Sequence, residues 1–426
     1  MNPNANMTVE FEMPQTKQVV VQKFGGSSLA TEELLRKVAK RVAARREQGA
    51  DLVVCVSAMG DTTDELLNLA HRLSGDYSPS PRETDALIST GELVSASLMG
   101  IAIRGLGHDA ISLSGRQAGI QTDETFGSAR IANIEPARVL REIKRGRIVV
   151  IAGFQGLTPA DDTTTLGRGA SDLTAVAIAA SIEADVCEIY TDVDGILTAD
   201  PRLVPDARVI PQIGYEEMLE MASLGAKMNP RSIEMASVHK VPMLITSSFN
   251  PHAAGTKIGN LEDQNSNMEI RKSITSIATE RSVARVTLHG IADRPGIAAA
   301  IMMPLAEAGI SIDVIVQNVS SHGLTDMSFT VGQEYLQRVA EITSQNTEVG
   351  YSDIATRDGL AKVSVVGTGM TNSPGYAARM FRALADANVN IEMITTSEIR
   401  ITCIVDQEHV ATAARALHSE FELEAD

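Results

Sequence analysis

The sequence has few of the residues that mark secreted or metal-binding proteins. Its 426 residues include three cysteines, Cys55, Cys187 and Cys403, none of them in a C-x-x-C pair. This spacing gives no disulfide framework and no cysteine zinc site, and it is typical of a reducing compartment. The eight histidines form no i, i+4 pair, so a histidine zinc site is not predicted either. We therefore expect no resident metal site built from side chains.

Basic residues are also scarce. The chain has 37 Lys and Arg against 54 Asp and Glu, a formal net charge of −17. We expect neither nucleic acid nor a membrane as a partner, because counterion release requires a basic face. Residues 1–16 contain no Lys or Arg and no signal-peptide apolar stretch, so they are interpreted as a disordered tail. No apolar run approaches the ~20 residues of a membrane span, which predicts a cytoplasmic protein.

Two glycine-bearing segments are the most informative features present. Residues 23–28 read KFGGSS and follow the apolar run 19–21, whereas residues 163–172 read TTTLGRGASD and precede the apolar run 173–180. Neither fits the P-loop or the Rossmann pattern. Each supplies bare backbone N–H groups, hydroxyls and one cation where a strand and a helix meet. Such a place suits phosphate, because the helix dipole and the free N–H groups favour an anion.

Alternation of short apolar runs with amphipathic segments from residue 17 to 258 predicts one α/β domain with a largely parallel central sheet. The predicted strands are 19–21, 52–56, 148–152 and 186–190, and the predicted helices are 32–46, 62–73 and 173–181. Active sites of such sheets lie outside the carboxyl ends of the strands. Both glycine segments fall at such places.

The C-terminal part contains an internal repeat. A polar, turn-rich stretch at 259–278 is interpreted as a linker. Beyond it, Pro295-Gly296 and Pro374-Gly375 stand 79 residues apart, and seven later positions are identical at the same offset. A strand precedes each Pro-Gly pair (284–288 and 362–366) and a helix and a strand follow. This pattern predicts paired small α+β domains, 279–356 and 357–426.

Each candidate residue also has a purely structural interpretation. Lys23 can neutralise a transferring phosphoryl group while Gly25 and Gly26 hold its oxygens, or it can be a solvated lysine beside a turn. Arg168, between two glycines, can clamp a carboxylate in a bidentate manner. Ser171 and Asp172 are equally good helix-capping residues.

Other candidates are open to the same two interpretations. Asp192 and Asp194 can hold a divalent metal on phosphate, or form a solvated turn. Ser57 and Thr62 carry hydroxyls suited to a ligand or to a helix cap, and Glu92 can be an exposed helix acid. No Gly-x-Ser-x-Gly elbow and no Cys–His nucleophile arrangement is present.

In their order along the chain, these motifs resemble the aspartokinases, members of the amino-acid kinase family with C-terminal ACT domains. The segments that carry the resemblance are 23–28, 56–64 (VSAMGDTTD), 89–92 (STGE), 163–172, 190–195 (YTDVDG), 293–296 (DRPG), 317–321 (QNVSS) and 396–401 (TSEIRI). The resemblance implies a three-layer kinase domain followed by two ferredoxin-like ACT domains. It also implies phosphorylation of the aspartate side chain by ATP with Mg²⁺, at the entry to lysine, threonine and methionine synthesis.

The resemblance assigns roles to residues of this chain. It implies Lys23 and Asp172 as catalytic residues. Nucleotide and phosphate binding would fall to Gly25, Gly26, Ser27, Thr191, Asp192, Arg202 and Lys227. Aspartate binding would fall to Ser57, Thr62, Glu92, Arg168 and Ser171. Lysine or threonine, as effectors, would contact Asp293, Pro295, Gly296, Ile297, Gln317, Asn318 and Asp326.

The resemblance further implies a homo-oligomer assembled through the ACT domains, with a separate ACT-only subunit as a variant of that arrangement. Two alternatives stay open. One is a kinase of the same family acting on another carboxylate, carbamate or nucleotide. The other is an inactive amino-acid sensor, since Leu197 replaces a common tyrosine and residues 228–230 form a segment one residue shorter than usual.

Overall fold

The computed structural model describes residues 17–260, 274–318, 323–346, 348–370 and 374–425. Two compact units divide the chain: Met1–Asp194 with Glu234–Ala253, and Gly195–Ile233 with Ala254–Asp426. The predicted kinase domain, 17–258, therefore contributes residues to both units. The predicted tail, 1–16, and most of the predicted linker lie outside the described residues.

The first unit alternates strands and helices. Its strands are β1 (Val19–Phe24), β2 (Asp51–Val56), β3 (Ala110–Leu113), β4 (Ile120–Thr122), β5 (Ile131–Ile134), β6 (Ile148–Ala152), β7 (Gln155–Leu157), β8 (Thr163–Thr165) and β9 (Val186–Thr191), and the later β11 (Met243–Ser247). Its helices are α1 (Glu32–Glu47), α2 (Thr62–Ser74), α3 (Pro81–Ile88), α4 (Thr90–Gly105), α5 (Gly115–Ala118), α6 (Ala137–Lys144) and α7 (Ser171–Ser181). Every strand and helix predicted for this part is confirmed within a few residues.

The central sheet of this unit is parallel, in the order β11-β9-β1-β2-β6-β3. All five residues of β6, and all but the first of β2, are buried. Strands covered on both faces need near-continuous apolar runs, which explains why these segments do not alternate. Lys23 of β1 lies opposite Cys55 of β2 and Ile189 of β9, so it stands near the middle of the sheet.

A second, smaller sheet has the order β5-β4-β7-β8. Its last strand, β8, pairs antiparallel with β7, and Thr165 is opposite Gln155. The chain leaves β8 directly into the glycine segment 166–170 and then enters α7. This sheet thus fixes where that segment begins.

Helices α3 and α4 follow one another over Pro81–Gly105, a stretch long and apolar enough to cross a membrane by length and composition alone (25 residues, mean hydropathy 1.6). Half of the 18-residue window that gives this hydropathy is buried within the protein, and core helices of soluble proteins meet the same criterion. Met99 and Ile103 of α4 belong to the core that includes the residues of β1, β2 and β6. Packing in that core accounts for the buried apolar residues of α4.

The second unit contains the repeat. Its strands are β10 (Gln212–Ile213), β12 (Thr256–Ile258), β13 (Ser276–Ala292), β14 (Ile315–Gln317), β15 (Leu324–Gly332), β16 (Asp353–Val366), β17 (Met393–Thr396) and β18 (Arg400–Asp406). Its helices are α8 (Tyr215–Ser223), α10 (Ile297–Glu307), α11 (Leu336–Gln345), α12 (Tyr376–Asp386) and α13 (Val410–Glu420). Helix α9 (Pro230–His239) contains the point at which the chain passes between units.

Six strands of the second unit form one antiparallel sheet, β14-β15-β13-β16-β18-β17. The first part of β13, from Ser276 to Glu280, pairs with the end of β16, which belongs to the second repeat. The later part of β13 pairs with β15 of the first repeat. The two repeats are therefore interleaved through β13, which begins inside the segment predicted as linker.

The Pro-Gly pairs start equivalent helices. Gly296 precedes α10 with a φ of 90°, and Gly375 precedes α12 with a φ of 111°. A left-handed backbone at this position favours glycine because a Cβ would be strained there. The predicted repeat is thus confirmed in the backbone as well as in the sequence.

Candidate active site

Lys23 and Asp172, the two predicted catalytic residues, form an ion pair. The Lys23 Nζ lies 2.7 Å from the Asp172 Oδ1, and the two side chains are 13% and 9% exposed. Asp172 is the second residue of α7, so the helix N-terminus adds positive potential at the same place. The pair joins the two glycine segments.

The turn after β1 has room only for glycine at one position. A Cβ on Gly26 would lie 2.9 Å from the carbonyl oxygen of Ala58 and 3.0 Å from that of Gly60. The carbonyl oxygen of Gly26 also accepts a hydrogen bond from the Gly60 N–H, at 3.1 Å. Ser27, at the outer side of the turn, is exposed. The segment therefore packs its backbone closely against the loop after β2.

A cleft of about 390 Å³ lies beside this turn and collects residues from distant parts of the sequence. Its size is within the range of small-molecule sites. Five predicted site residues line it: Gly26, Ser57, Glu92, Arg168 and Ser171. The other lining residues are Ala58, Gly60, Thr63, Asp64, Leu67, Thr84, Asp85, Ile88, Gly127, Phe154, Thr165 and Gly169.

Glu92 is a buried carboxylate with one oxygen still available. It lies in the first turn of α4, is 3% exposed, and its Oε1 accepts a hydrogen bond from the Ala58 N–H at 3.0 Å. Its Oε2 is buried and has no hydrogen-bond partner among the described residues. Burial raises the pKa of Glu92 to about 7. A cationic group in the cleft would satisfy the second oxygen and stabilise the charged form.

Arg168 is the exposed cation of the cleft. Gly167 and Gly169, on either side of it, have φ values of 96° and 74°. Its side chain is 81% exposed, and its Nη2 lies 2.6 Å from the Asp64 Oδ1. An exposed pair of this kind contributes little to stability. The guanidinium can therefore exchange Asp64 for a ligand carboxylate at small cost.

Thr62 differs from the other predicted substrate residues. Its hydroxyl donates to the carbonyl oxygen of Met59 at 2.6 Å, and among the described residues the cleft is lined by Thr63 instead. This hydrogen bond fits the helix-start interpretation. Asp85, Thr165 and Phe154 also line the cleft but were not predicted as site residues. A signal was present for Asp85, which lies three residues before the buried Ile88 and therefore on the same face of α3.

The predicted nucleotide residues are divided between the two units. In the first unit, Thr191 is the last residue of β9 and Asp192 follows it, and the Thr191 hydroxyl donates to the Asp192 Oδ1 at 3.1 Å. Arg202 and Lys227 belong to the second unit. The Arg202 Nη2 lies 2.7 Å from the Asp200 Oδ2, and the Arg202 side chain is 87% exposed.

Within the described ranges, no three His, Cys, Asp or Glu residues are close enough together to hold a metal ion.

The predicted effector residues come together in the first repeat. The loop 293–296 is exposed, and the Asp293 N–H donates to the carbonyl oxygen of Gly323 at 2.9 Å, which joins it to the turn before β15. The Asn318 N–H donates to the carbonyl oxygen of Asp326 at 3.3 Å. The Asp326 carboxylate bonds to the Gly290 N–H at 2.9 Å and to the His289 Nδ1 at 2.8 Å, and these contacts lower the pKa of Asp326.

Comparison with known proteins identifies the family to which this fold belongs. Residues 18–247 match the amino acid kinase family, and residues 286–346 and 363–421 match the ACT domain. The chain belongs to the amino acid kinase family, and within it to the ACT-containing kinases. Its relatives there are aspartokinases: the aspartokinase of Corynebacterium glutamicum is 46% identical over 411 residues, which cover 95% of this chain and 96% of that protein.

Solved aspartokinase structures are similar to this fold over nearly the whole chain. The crystal structure of E. coli aspartokinase III with aspartate and ADP, in the R-state, has a TM-score of 0.77 and 26% identity, and the match covers 95% of this chain and 99% of that one. The structure of the same enzyme with lysine and aspartate, in the T-state, has a TM-score of 0.74 and 25% identity, with 94% and 99% covered.

Proposed function

We propose that this protein phosphorylates the side-chain carboxylate of L-aspartate with ATP, giving 4-phospho-L-aspartate for lysine, threonine and methionine synthesis in the cytoplasm. The observation that carries the proposal is the cleft in which a buried glutamate, an exposed arginine and the edge of the KFGGSS turn meet. A ligand with both an ammonium and a carboxylate matches Glu92 and Arg168. An α-amino acid has both groups.

Substrate binding follows from the charges. Glu92 receives the α-ammonium on its unpartnered Oε2, and Arg168 leaves Asp64 to take the α-carboxylate in a bidentate manner. Ser57 and Ser171, which line the cleft, add hydroxyls around the rest of the substrate. The side-chain carboxylate has an ordinary pKa of about 3.9, so it is ionised at neutral pH and needs no general base.

Phosphoryl transfer then requires two anions to approach each other. Lys23 neutralises the transferring group, and Asp172 holds the lysine ammonium in place at 2.7 Å. The backbone N–H groups of Gly25 and Gly26 hold phosphate oxygens, with Ser27 beside them. Thr191, Asp192, Arg202 and Lys227 bind the rest of the nucleotide.

A magnesium ion accompanies ATP in kinases and adds positive charge on the phosphates. Such an ion is held by one or two carboxylates together with phosphates and water, not by a dedicated protein cage. The described residues fit that pattern. They contain no cluster of three acidic, His or Cys ligands, and Asp192, directly after β9, is the carboxylate that would help to hold the ion.

A coupled ADP-release assay tests the assignment. Aspartate, glutamate, N-acetylglutamate and UMP are offered to the same enzyme preparation. We expect aspartate to have the highest kcat/KM, because its chain length brings the second carboxylate to Lys23 while both ends stay bound. A preference for another acceptor would replace the proposal with a different kinase of the same family.

Regulation by lysine or threonine is part of the proposal. The supporting observation is that, within the second unit, the second repeat is bonded to segment 195–233, which carries Arg202 and Lys227. Glu217 Oε1 accepts from the Thr275 hydroxyl at 2.8 Å and the Thr368 N–H at 2.9 Å, and Arg400 pairs with Glu220 at 2.9 Å. An effector seated at Asp293–Ile297, Gln317, Asn318 and Asp326 would act through these contacts if it favours one global arrangement.

Thermal unfolding with each amino acid checks the effector proposal. We expect lysine or threonine, alone or together, to raise the Tm, because a ligand that binds only the native state stabilises it; the shift corresponds to about 2.7 kcal/mol at one hundred times Kd. Alanine at the same concentration is the control. If the Tm is the same with lysine, threonine and alanine, the proposed sensing role is wrong.

We also propose a homo-oligomer that forms through the ACT domains. Ile315 of β14 and Ile394 of β17 occupy equivalent positions of the two repeats, on the two edge strands of the sheet, and they are 52% and 45% exposed. Exposed apolar residues on open sheet edges favour pairing with another chain. An ACT-only second subunit would use the same edges.

A further inference from the structure

Asp85 is a buried carboxylate in the first unit that no part of the proposed mechanism uses. It lies in α3, one turn before the helix ends, and is 1% exposed. Its side chain accepts three hydrogen bonds. The Thr165 N–H and the Gly127 N–H each donate to Oδ2 at 2.8 Å, and the Thr165 hydroxyl donates to Oδ1 at 2.8 Å.

The two residues that Asp85 holds frame the loop that carries Arg168. Thr165 ends β8, three residues before Arg168, and its carbonyl oxygen accepts from the Ala129 N–H at 2.9 Å. Gly127 belongs to the neighbouring loop, and a Cβ on Gly167 would lie 3.7 Å from the Gly127 carbonyl oxygen. Asp85 therefore fixes Thr165 and Gly127, which flank the base of the Arg168 loop, to one buried side chain of α3.

The tip of the loop, 167–169, is less constrained than its base, where Leu166 is fully buried and its N–H donates to the carbonyl oxygen of Phe154 at 2.9 Å. Gly167 and Gly169 are in the left-handed region, and the Arg168 side chain is 81% exposed and pairs with Asp64. Glycines on both sides leave the backbone free to move unless its base is fixed. A shift of about 1 Å in a group that positions a substrate can cost on the order of a hundredfold in rate.

The geometry points to Asp85 as a positioning residue for the acceptor substrate: it fixes the base of the Arg168 loop so that the guanidinium meets the substrate carboxylate. Asp85 does not itself contact the substrate. This inference rests on the proposed function, in which Arg168 binds the acceptor. It predicts that loss of Asp85 weakens acceptor binding far more than nucleotide binding.

The test compares steady-state kinetics of Asp85→Ala, Asp85→Asn and the wild-type protein. Asp85→Ala leaves two N–H groups without acceptors, so we expect the KM for aspartate to rise about tenfold or more while the KM for ATP changes less than about twofold. Asp85→Asn keeps one oxygen for both N–H groups, and its amide can donate to the Thr165 hydroxyl. We expect it to restore the KM for aspartate to within about threefold of wild type.

Glu142→Ala is the matched control. Glu142 is another buried carboxylate of the first unit, 3% exposed on α6, but its partners are Arg141, Arg145 and Arg147, and it does not line the cleft. We expect this variant to lower the Tm without changing the KM for aspartate. If it raises that KM as much as Asp85→Ala does, the effect is general destabilisation and the inference is wrong.

Thr165→Val provides a second test if the Asp85→Ala protein does not fold. It removes only the hydroxyl hydrogen bond, and we expect the KM for aspartate to rise about threefold, with the KM for ATP unchanged. Three outcomes would each overturn the inference. The KM for aspartate could be unchanged in both Thr165→Val and Asp85→Ala, or the KM values for aspartate and ATP could rise in parallel. The third outcome is an Asp85→Asn variant as impaired as Asp85→Ala. If wild type turns over a different acceptor, the proposed function fails instead, and the same comparison is made with that acceptor.

Discussion

Lys23→Ala is expected to reduce kcat by about a thousandfold or more while the protein still folds. Removal of the ammonium leaves the transferring phosphoryl group next to the substrate carboxylate and Asp172 without the cation between them. Single charge-stabilising groups in phosphoryl transfer contribute on the order of 10³ to 10⁵ in rate. The measurement is ADP release at saturating ATP and aspartate, with circular dichroism and Tm on the same sample.

Lys40→Ala is the matched control, because Lys40 is an exposed lysine of α1 in the same unit. It should have wild-type kcat. A Lys23→Ala protein with wild-type turnover would remove the catalytic role. A wild-type protein with no activity toward any acceptor, but with a Tm that responds to lysine or threonine, would instead favour an inactive amino-acid sensor.

Glu92→Gln is expected to weaken aspartate binding and to change the pH profile. Gln leaves the substrate ammonium without its buried partner, a loss of about 2–5 kcal/mol in kcat/KM for aspartate. In the wild type, kcat/KM for aspartate should fall as the pH decreases through about 7, because protonation of Glu92 removes the negative charge that binds the ammonium. This acid limb should be absent in Glu92→Gln.

The profile of kcat should not share that limb, since the bound ammonium lowers the pKa of Glu92 in the complex. Glu65→Gln, a change at an exposed acid of α2, is the control and should keep both profiles. A wild-type kcat/KM that is flat between pH 6 and 8 would argue against ammonium binding by Glu92.

The same substitution should make the protein more stable at high pH. Burial raises the pKa of Glu92 from 4.5 to about 7, so the contribution of this group to stability is present below pH 4.5 and is lost as the pH rises through about 7. A difference of that size corresponds to at most about 3 kcal/mol. Urea unfolding should therefore show Glu92→Gln stabilised relative to wild type at pH 8 and little changed at pH 5.

Much of the site could be predicted because it depends on local sequence. The backbone of two segments is determined largely by local sequence. These are Lys-Phe-Gly-Gly at the end of a strand and Gly-Arg-Gly before a helix. Lys23 lies one residue before the end of β1 in the parallel sheet, Asp172 lies in the first turn of α7 after β8 of the smaller sheet, and their ion pair brings the two segments together. The repeat could also be predicted from the sequence, because the left-handed backbone before α10 and before α12 favours glycine at both positions.

Other features had no such local signal. Asp85 bonds to Thr165, 80 residues away, and Arg168 pairs with Asp64, 104 residues away. Thr62 was predicted to bind substrate, and only the folded chain directs its hydroxyl to the Met59 carbonyl. Side-chain hydrogen bonds of this kind are selected by packing geometry, which sequence spacing does not specify.

The sequence by itself determined the fold class, the parallel core, the glycine turns and the repeat, because hydrophobic period and glycine conformation act over a few residues at a time. Only the tertiary structure decided that β13 is shared between the repeats, that segment 195–233 joins the unit of the repeats, and that Glu92 is buried with one oxygen available. Each of these depends on which distant surfaces pack together, and that choice is made by the whole chain.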